Sequence, residues 1–279
     1  MKTLLSFGHG YSSQALAEIL VQQGWRVIGT SRTPGKRRQQ GVEMIPFPGT
    51  DMAPHLAAAT HILISAAPDK TGDPVLQEFG AHIAAGAYEW LGYLSTTGVY
   101  GDHQGAWVDE DTPLTPATTR GRWRVAGETA WRIAHRNTHI FRLAGIYGPG
   151  RGPFSKLRNG TARRIIKEGQ VFSRIHRDDI ARVLAASIAR PNPGRAYNLC
   201  DNMPAPPEDV IGYAAKLLGL PLPPAEPFET AEMLPMARSF YSENKRIKND
   251  RIKDELGVSL KYPDYRAGLE SLLAAVERG

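Results

Sequence analysis

Cysteine, long apolar runs and metal-binding motifs are what this sequence lacks. One cysteine, Cys200, in 279 residues excludes an internal disulfide and a cysteine-clustered metal site. No H-E-x-x-H motif is present, so no metal is predicted. No apolar stretch approaches the ~18 residues that cross a bilayer, and the N-terminal run "KTLLSF" ends in a glycine loop without a cleavage site. We therefore expect a soluble, cytoplasmic protein that makes no membrane contact.

The charge balance is basic without being clustered. The net charge of +6 comes from 34 basic and 28 acidic residues that are interspersed along the chain. This pattern favours a small anionic ligand over a nucleic-acid surface. The stretch "TTRGRWRVAGETAWRIAHR" does interleave arginine and tryptophan as some RNA-binding helices do, but no nucleic-acid partner is predicted, and the oligomeric state is left open.

Short apolar runs alternate with helical patterns through the first half of the chain. Runs such as "WRVIGTS" (25–31) and "WLGYLST" (90–96) are apolar on both faces, as strands of a parallel sheet are when helices cover both sides. The pattern predicts an α/β fold with a doubly wound parallel sheet of the Rossmann type and a smaller C-terminal lobe. We assign 1–150, completed by about 176–200, to the nucleotide-binding domain. The substrate-binding lobe would comprise 151–175 and 201–279.

Three helices are predicted in the second half. One begins at "DDIARVLAASIA" with Asp178 near its N-cap, one lies within "MPAPPEDVIGYAAKLLGLPLPPAEP" between proline-rich loops, and one covers "ENKRIKNDRIKDELG" and ends at Gly257.

The segment "LLSFGHGYSSQALAEIL" has the form of a strand, a glycine turn and a helix. Gly8 and Gly10 are spaced G-x-G, and Ser13 stands where a third glycine is common. Glycines allow a close approach of a pyrophosphate, and the first turn of the helix, from Tyr11 through Ser12, presents free N–H groups. We predict a dinucleotide site here.

The end of the second strand predicts which dinucleotide is bound. An NAD site usually places an acidic residue at this point, whereas "VIGTSR" offers the Ser31 hydroxyl and the Arg32 cation, which suit a 2′-phosphate. NADP is therefore preferred over NAD. The alternative is that Arg32 is a solvated loop arginine.

Several segments in order resemble one family, the extended or atypical short-chain dehydrogenases/reductases of the NAD-dependent epimerase/dehydratase type. The segments that carry the resemblance, besides the glycine loop, are "PGTD" (48–51), "SAAP" (65–68), "LSTTGVYGDHQGAWVDEDTPLTP" (94–116), "FRLAGIYGPG" (141–150), "IHRDDIA" (175–181) and "AYNLCD" (196–201). The resemblance implies cofactor contacts at Gly8, Gly10, Ser13, Arg32, Asp51, Ala66 and Ala67. It also implies a substrate-binding hydroxyl at Thr96, with Ser95 and Thr97 as neighbouring alternatives.

The sequence departs from this family at its catalytic pair. The family motif Y-x-x-x-K-x-x-x-E, placed by its spacing from "VYG" and from Glu128, puts the tyrosine at Arg120 and the lysine at Arg124. In the family the tyrosine transfers a proton, and the lysine lowers its pKa while holding the nicotinamide ribose. Arg124 can still supply positive charge, but a guanidinium with a pKa above about 12 does not exchange protons at working pH.

Three interpretations of these arginines remain open. The proton donor has moved, with Tyr100, His176 and Tyr241 as candidates. Alternatively, the two arginines bind an anionic substrate, helped by Arg151, Arg174 and Arg177, and stabilise a developing oxyanion. In the third interpretation catalysis is lost and the protein is an NADP-binding regulator. Each competes with a simpler possibility, that the arginines are solvated residues on a helix whose tryptophans pack inward.

We expect an NADP-dependent oxidoreductase acting on a small anionic carbonyl or alcohol, with Thr96 and Arg124 in its site and Tyr100, Arg151, Arg174 and His176 near the substrate. A non-catalytic regulator is the first alternative and a nucleotide-sugar epimerase or dehydratase the second.

Overall fold

The computed structural model describes residues 1–36 and 38–277. Its strands in chain order are β1 (Thr3–Phe7), β2 (Arg26–Ser31), β3 (Val42–Pro46), β4 (His61–Ile64), β5 (Trp90–Thr96), β6 (Trp107–Val108), β7 (Thr138–Leu143), β8 (Gly145–Tyr147), β9 (Arg164–Ile166), β10 (Arg174–His176), β11 (Ala196–Leu199), β12 (Ala225–Pro227) and β13 (Arg246–Ile247). Its α-helices are α1 (Tyr11–Gln22), α2 (Ala53–Ala58), α3 (Pro74–Ala85), α4 (Thr119–Ala134), α5 (Pro153–Arg158), α6 (Arg177–Ala189), α7 (Pro207–Leu217), α8 (Pro235–Ser239), α9 (Asp250–Asp254) and α10 (Tyr265–Glu277). Short 3-10 helices cover Pro34–Lys36, Thr97–Tyr100 and Phe240–Ser242.

Seven strands form one parallel sheet in the order β11-β7-β5-β4-β1-β2-β3. The chain runs outward from β1 to β3 and then restarts at β4 on the other side of β1. Their carboxyl ends share one edge of the sheet, and the reversal of strand order between β1 and β4 opens a crevice there. The predicted α/β fold with a doubly wound parallel sheet is confirmed.

Helices cover both faces of the sheet because the strands are apolar on both faces. On one face α1 and α6 bury Leu16, Leu20 and Leu184 against the strands. On the other face α3 and α4 bury Ile83 and Trp131. Helix α6 packs directly on α1, so the chain returns to this layer after it has built β8–β10.

The described part of the second lobe contains short parallel strand pairs and five helices, α5 and α7 to α10. The pairs are β8 with β10, β9 with β12, and β6 with β13. A separate apolar core lies among α5, α7 and α10, and includes Leu157, Ala214 and Leu269. This lobe sits over the carboxyl edge of the sheet because β8 follows β7 after a single residue, Ala144.

One helix prediction in this half was wrong. Residues 243–257 do not form one helix: Arg246–Ile247 pairs as a strand with Trp107–Val108, and only Asp250–Asp254 is helical. The backbone hydrogen bond from Arg246 to Ala106, at 2.9 Å, shows a tertiary pairing that overrides local helix propensity. The helix predicted at "DDIARVLAASIA" is confirmed as α6, whose N-cap is His176, two residues before Asp178. No helix within the described ranges is both long and apolar enough to pass through a membrane.

Candidate functional site

The glycine turn after β1 is held rigidly against the neighbouring strands. Gly8 adopts a positive φ of 76°, and a Cβ at this position would stand 2.8 Å from the backbone nitrogen of Ala66. Its own N–H donates to the Thr30 hydroxyl at 3.0 Å, and the His9 N–H donates to the Thr30 carbonyl at 2.8 Å. Only glycine meets both requirements at position 8. The turn is therefore fixed between the carboxyl ends of β2 and β4.

Helix α1 opens directly from this turn without a capping side chain. Gly10 is the N-cap residue, and the first helical N–H to reach an acceptor is that of Gln14, which donates to the Gly10 carbonyl at 2.8 Å. The N–H groups of Tyr11, Ser12 and Ser13 have no carbonyl four residues earlier in the helix. They make this end of α1 attractive to an anion.

Tyr11 is flanked by two arginines of the following half of the chain. The guanidinium carbons of Arg151 and Arg177 lie 5.8 Å and 5.2 Å from the centre of its ring. The Tyr11 hydroxyl donates to the Pro149 carbonyl at 2.9 Å. Burial raises the pKa of Tyr11, while the two cations act in the opposite direction. Positive charge from the second half of the chain is thus held beside the first turn of α1.

The residues predicted to select the cofactor lie at the end of β2. The Ser31 hydroxyl accepts the N–H of Thr33 at 3.1 Å, and Arg32 is exposed, with no hydrogen bond or ion pair to any described residue. The Thr30 hydroxyl is taken by Gly8. Asp51 is exposed and its Oδ1 accepts the Ala53 N–H at 3.0 Å, which is the turn-capping role that was its simpler interpretation.

The β4 loop faces the glycine turn through its backbone. Ala66 is half-buried against Gly8, and Ala67 is exposed. Both are therefore on the edge that carries the turn.

The three hydroxyls at the end of β5 point in different directions. Ser95 is buried and donates to Glu128 at 2.6 Å. Thr97 donates to the Leu143 carbonyl at a long 3.5 Å. Thr96 accepts the Gly98 N–H at 3.1 Å, is half-buried, and keeps its own proton free of the described residues. Of the three, Thr96 is the hydroxyl that can donate to a ligand.

A buried ion pair supports this strand end from behind. Arg142 and Glu128 are 4% and 3% exposed, and Arg142 Nη2 lies 2.8 Å from Glu128 Oε2. Arg142 also donates to the Tyr100 hydroxyl at 2.9 Å, and Tyr100 donates to Asn198 at 2.7 Å. Burial raises the pKa of Tyr100 to about 12. The Tyr100 side chain is fully buried, and its hydroxyl already donates one hydrogen bond and accepts another. This position does not agree with the predicted contact between Tyr100 and the substrate.

Arg120 and Arg124 lie one turn apart on α4 but in different surroundings. Arg124 donates to the Leu94 carbonyl at 2.8 Å and to the Tyr93 hydroxyl at 3.3 Å, and its guanidinium also lies 5.7 Å from the centre of the Tyr93 ring. Arg120 is exposed in the first turn and has no bonding partner among the described residues. The two do not form the predicted fork in this structure.

Two glycines bring α4 close to β5. A Cβ at Gly127 would stand 2.5 Å from the Tyr93 hydroxyl, and one at Gly121 would stand 3.0 Å from the Gly98 carbonyl. Gly127 thus faces Tyr93 of β5, and Gly121 faces Gly98 of the 3-10 helix that follows the strand. The close approach at Gly127 agrees with the reach of Arg124 to the Leu94 carbonyl of β5.

His176 is a structural residue in the described fold. It is 1% exposed, its Nδ1 accepts the Asp178 N–H at 3.1 Å, and its ring packs against Tyr147 and Tyr262. Burial lowers its pKa to about 4. An imidazole with this pKa is neutral at pH 7, so the predicted role of His176 as a proton donor or substrate contact does not agree with its environment.

Tyr241, the other candidate proton donor, packs its ring against Phe172 and Phe228. It is half-buried, and burial raises its pKa. It belongs to the second lobe together with Arg174, whose Nη1 donates to the Phe172 and Ala205 carbonyls at 2.8 and 3.0 Å.

The predicted arginine cluster is therefore divided among three places. Arg151 and Arg177 flank Tyr11, Arg124 binds β5, and Arg174 is enclosed in the second lobe. A single anion contacted by all of them is not consistent with this arrangement. The reason is that side-chain direction, which a sequence motif does not specify, separates residues that are close along the chain.

One charged pair near the site escaped the sequence analysis. Lys245 is 9% exposed and its Nζ donates to the Gly101 carbonyl at 2.7 Å and to Glu243 at 2.6 Å. It ties the second lobe to the loop that follows Thr96. The polar run "ENKR" looked like solvated helix and carried no signal of burial.

Comparisons with known proteins agree with this architecture. Protein YeeZ of Escherichia coli strain K12 is 31% identical over 290 residues, which cover 95% of this chain and 97% of YeeZ. A solved structure of a functionally unknown conserved protein from Silicibacter pomeroyi DSS is 62% identical, with a TM-score of 0.95 and 99% of each chain covered. UDP-glucuronic acid 4-epimerase from Bacillus cereus, solved in complex with NAD, is 17% identical with a TM-score of 0.79 over 99% of each chain. No family model matches the sequence.

The structural neighbours are thus proteins of the NAD-dependent epimerase/dehydratase type, to which the sequence motifs pointed. At this identity the likeness to the epimerase establishes the shared fold alone.

Proposed function

We propose, from the premise that the chain belongs to the family of Escherichia coli protein YeeZ, that it binds a nicotinamide dinucleotide and transfers hydride to or from a small anionic carbonyl or alcohol. The observation that carries the proposal is the turn at Gly8, which leads into the uncapped first turn of α1 at the crevice between β1 and β4. This arrangement is suited to a pyrophosphate.

The residues around the turn fit the rest of such a ligand. A Cβ at Gly8 would clash with the backbone of Ala66, so glycine at this position lets the turn pack against the β4 loop and holds the first turn of α1 at the crevice. Arg151 and Arg177 would add positive charge from the second half of the chain. Ala66 and Ala67 would lie along the ribose, and Asp51 on the adenine side.

Hydride is the chemistry that a bound nicotinamide supplies. The proton that completes the alcohol, or that leaves it in the reverse direction, would be exchanged with water, and the chain's own part is to hold the substrate oxygen and its charge. Thr96 would donate its hydroxyl proton in a hydrogen bond to that oxygen, while its lone pair is engaged by Gly98. Arg124, held by Leu94, would supply fixed positive charge near the developing oxyanion. Arg120 lies one turn before Arg124 on α4 and has no bonding partner among the described residues, so it could pair with an anionic substrate.

NADP is the finer part of the proposal. Arg32 is exposed beside Ser31 and has no hydrogen bond or ion pair with a described residue. The segment "VIGTSR" at the end of β2 also contains no carboxylate that would repel a 2′-phosphate. The Bacillus cereus epimerase that shares the fold was solved with NAD, so the choice between the two rests on this strand end.

Fluorescence titration with NADPH and NADH tests the cofactor. We expect NADPH to bind at least ~10-fold more tightly, and Arg32→Ala to lose about 10-fold in NADPH affinity with little change for NADH, the size of one charge-assisted hydrogen bond. Arg136→Ala, which removes an exposed arginine elsewhere, is the matched control. A preference for NADH would overturn NADP and leave dinucleotide binding standing; no binding of either would overturn both.

Substitution at Thr96 tests the chemistry. Oxidation of the reduced cofactor would be followed across a panel of 2-oxo acids and phosphorylated aldehydes. On an accepted substrate we expect Thr96→Val to lower kcat by roughly 100-fold, because it removes the donor, while Thr96→Ser retains most activity. Thr97→Val is the control, since the Thr97 hydroxyl makes only a 3.5 Å contact. Equal losses in the valine and serine variants would contradict the role of the hydroxyl.

A second candidate function is dinucleotide binding without catalysis. One observation favours it: Tyr93, the tyrosine that lies beside Arg124, does not exchange a proton near pH 7, because burial raises its pKa to about 12. NADPH that binds tightly but is never oxidised across the carbonyl panel would support this regulator and exclude the oxidoreductase.

A further inference from the structure

A cavity of about 460 Å³ lies in the second lobe and borders the proposed dinucleotide site at Arg151, which lines the cavity and also contacts Tyr11. Helices α5, α7 and α10 and the strand pair β8–β10 enclose it. Its walls are apolar on several sides, with Ile146 from β8, Val210 and Ile211 from α7, and Leu269 from α10. A volume of this size is in the ordinary range for small-molecule sites.

Charge in the cavity has one sign. Arg174, Arg151 and Lys156 line it, and none of the described lining residues carries a carboxylate. Arg151 and Lys156 are exposed at its margin, whereas Arg174 is enclosed between Phe172 and Ala205. The cavity therefore combines apolar walls with an excess of positive charge.

The donors of Arg174 are only partly used. Its Nη1 donates to the Phe172 and Ala205 carbonyls at 2.8 and 3.0 Å, which fixes the plane of the guanidinium. Its Nε and Nη2 make no hydrogen bond, and Arg174 makes no ion pair within 4.0 Å, to any residue of the described ranges. Nε and Nη2 form the edge of a guanidinium that accepts a carboxylate in a two-point contact.

The nearest acids do not neutralise this arginine. Asp201 and Glu208 each interact with Arg174 electrostatically, without a hydrogen bond to it. Burial raises the pKa of Asp201 to about 7 and also raises that of Glu208. Arg174 is half-buried, so its guanidinium is partly removed from water without a close counter-charge, and a bound anion would offset that cost.

We propose that this cavity is a binding site for an organic carboxylate with an apolar body, its carboxylate paired with Nε and Nη2 of Arg174 and its body against Ile146, Ile211 and Leu269. The site goes beyond the proposed dinucleotide function and does not depend on it. A monocarboxylate suits it because one enclosed guanidinium supplies one charge and the walls are mainly apolar.

Calorimetric titration of the full chain, without dinucleotide, tests the proposal with phenylacetate and with phenylacetamide, which has the same shape and no charge. We expect phenylacetate to bind saturably at one site and at least ~10-fold more tightly than phenylacetamide. Arg174→Gln is expected to lower phenylacetate affinity by ~10-fold or more. Arg136→Gln, which removes an exposed arginine elsewhere, should leave it unchanged.

Ile211→Trp tests the same cavity without changing its charge. This variant tests the proposal even if Arg174→Gln does not fold. The larger side chain should fill the cavity and abolish phenylacetate binding, while Ile133→Trp, on an 82% exposed isoleucine of α4, should not. Equal affinity for the amide, no binding of phenylacetate, or unchanged binding in Ile211→Trp would each overturn the proposal. Because no dinucleotide is present, these outcomes are separate from those that test the proposed function.

Discussion

The carboxyl edge of the main sheet and the cavity of the second lobe both present positive charge, but they hold it differently. At the sheet edge the ligand-facing groups are backbone N–H groups of α1 and a bare glycine, with Arg151 and Arg177 placed around Tyr11. In the second lobe a single enclosed guanidinium, Arg174, faces apolar walls.

Because of this difference, the two regions should be sensitive to different kinds of substitution. Proline is the one substitution that removes a backbone N–H, so for other substitutions the sheet edge depends on the shape of its turn. The second lobe depends on the identity and protonation of individual side chains, since burying a charge changes its pKa and its cost. Substitutions that alter shape should therefore act mainly on the first region, and those that alter charge mainly on the second.

The largest effect is expected at Gly8, where shape is decisive. Gly8→Ala places a Cβ 2.8 Å from the Ala66 nitrogen and forces a positive φ on alanine. We expect a loss of roughly 2–4 kcal/mol in the free energy of unfolding and at least ~10-fold weaker dinucleotide binding. Urea unfolding and NADPH titration measure the two.

Gly80→Ala is the matched control for this substitution. Gly80 lies inside α3, and a Cβ there would meet nothing within 4 Å. Alanine should stabilise that helix slightly, because it favours the helical backbone over the unfolded chain. If both variants lost the same stability, the close approach of Gly8 to Ala66 would not be the cause.

The two regions also differ in how far the sequence predicts them. The sheet and the glycine turn follow from local patterns: strands such as Trp90–Thr96 are apolar on both faces, and a left-handed turn requires glycine at position 8. The second lobe follows from pairings between distant segments. Arg246–Ile247 is a strand because Trp107–Val108 is there to receive it, and no local pattern records that.

Side-chain direction is the other part that sequence reasoning missed. Arg120 and Arg124 belong to one motif, yet only Arg124 turns toward β5, where Gly127 allows a close approach of the helix to that strand. His176 was a candidate proton donor, but its burial between Tyr147 and Tyr262 lowers its pKa to about 4. The direction of Arg124 and the burial of His176 both depend on tertiary packing, which cannot be predicted from the spacing of residues in a motif.

An intermediate effect is expected at Asp201, where protonation is decisive. Burial raises its folded pKa to about 7 from a usual 3.8. The folded protein therefore holds a proton that the unfolded chain releases, so this group's contribution is fully present below about pH 4 and is lost as the pH rises through about 7. Asn mimics the protonated form, and its side-chain oxygen can still accept the Met203 N–H.

Asp201→Asn should accordingly be more stable than the original protein at pH 8 by about 2 kcal/mol, with a much smaller difference at pH 4. Urea unfolding of both proteins at the two pH values gives the difference directly, and comparing them cancels other titrating groups. Asp254→Asn, at an exposed position, is the control. A difference that did not grow between pH 4 and pH 8 would show that Asp201 is ionised in the folded protein throughout.

The smallest effect is expected at Tyr11, where the two regions meet. Tyr11→Phe removes the hydrogen bond to the Pro149 carbonyl but keeps the ring between Arg151 and Arg177. We expect a loss of about 1 kcal/mol or less in stability and only a small change in NADPH affinity. Tyr11→Leu also removes the ring face that the guanidinium groups contact, so it should weaken NADPH binding further, because Arg151 loses this contact, whereas Arg177 keeps its ion pairs with Glu18 and Asp178. Equal NADPH affinities for the Phe and Leu variants would mean that the aromatic ring does not position the arginines, and the sheet edge would then depend on its backbone alone.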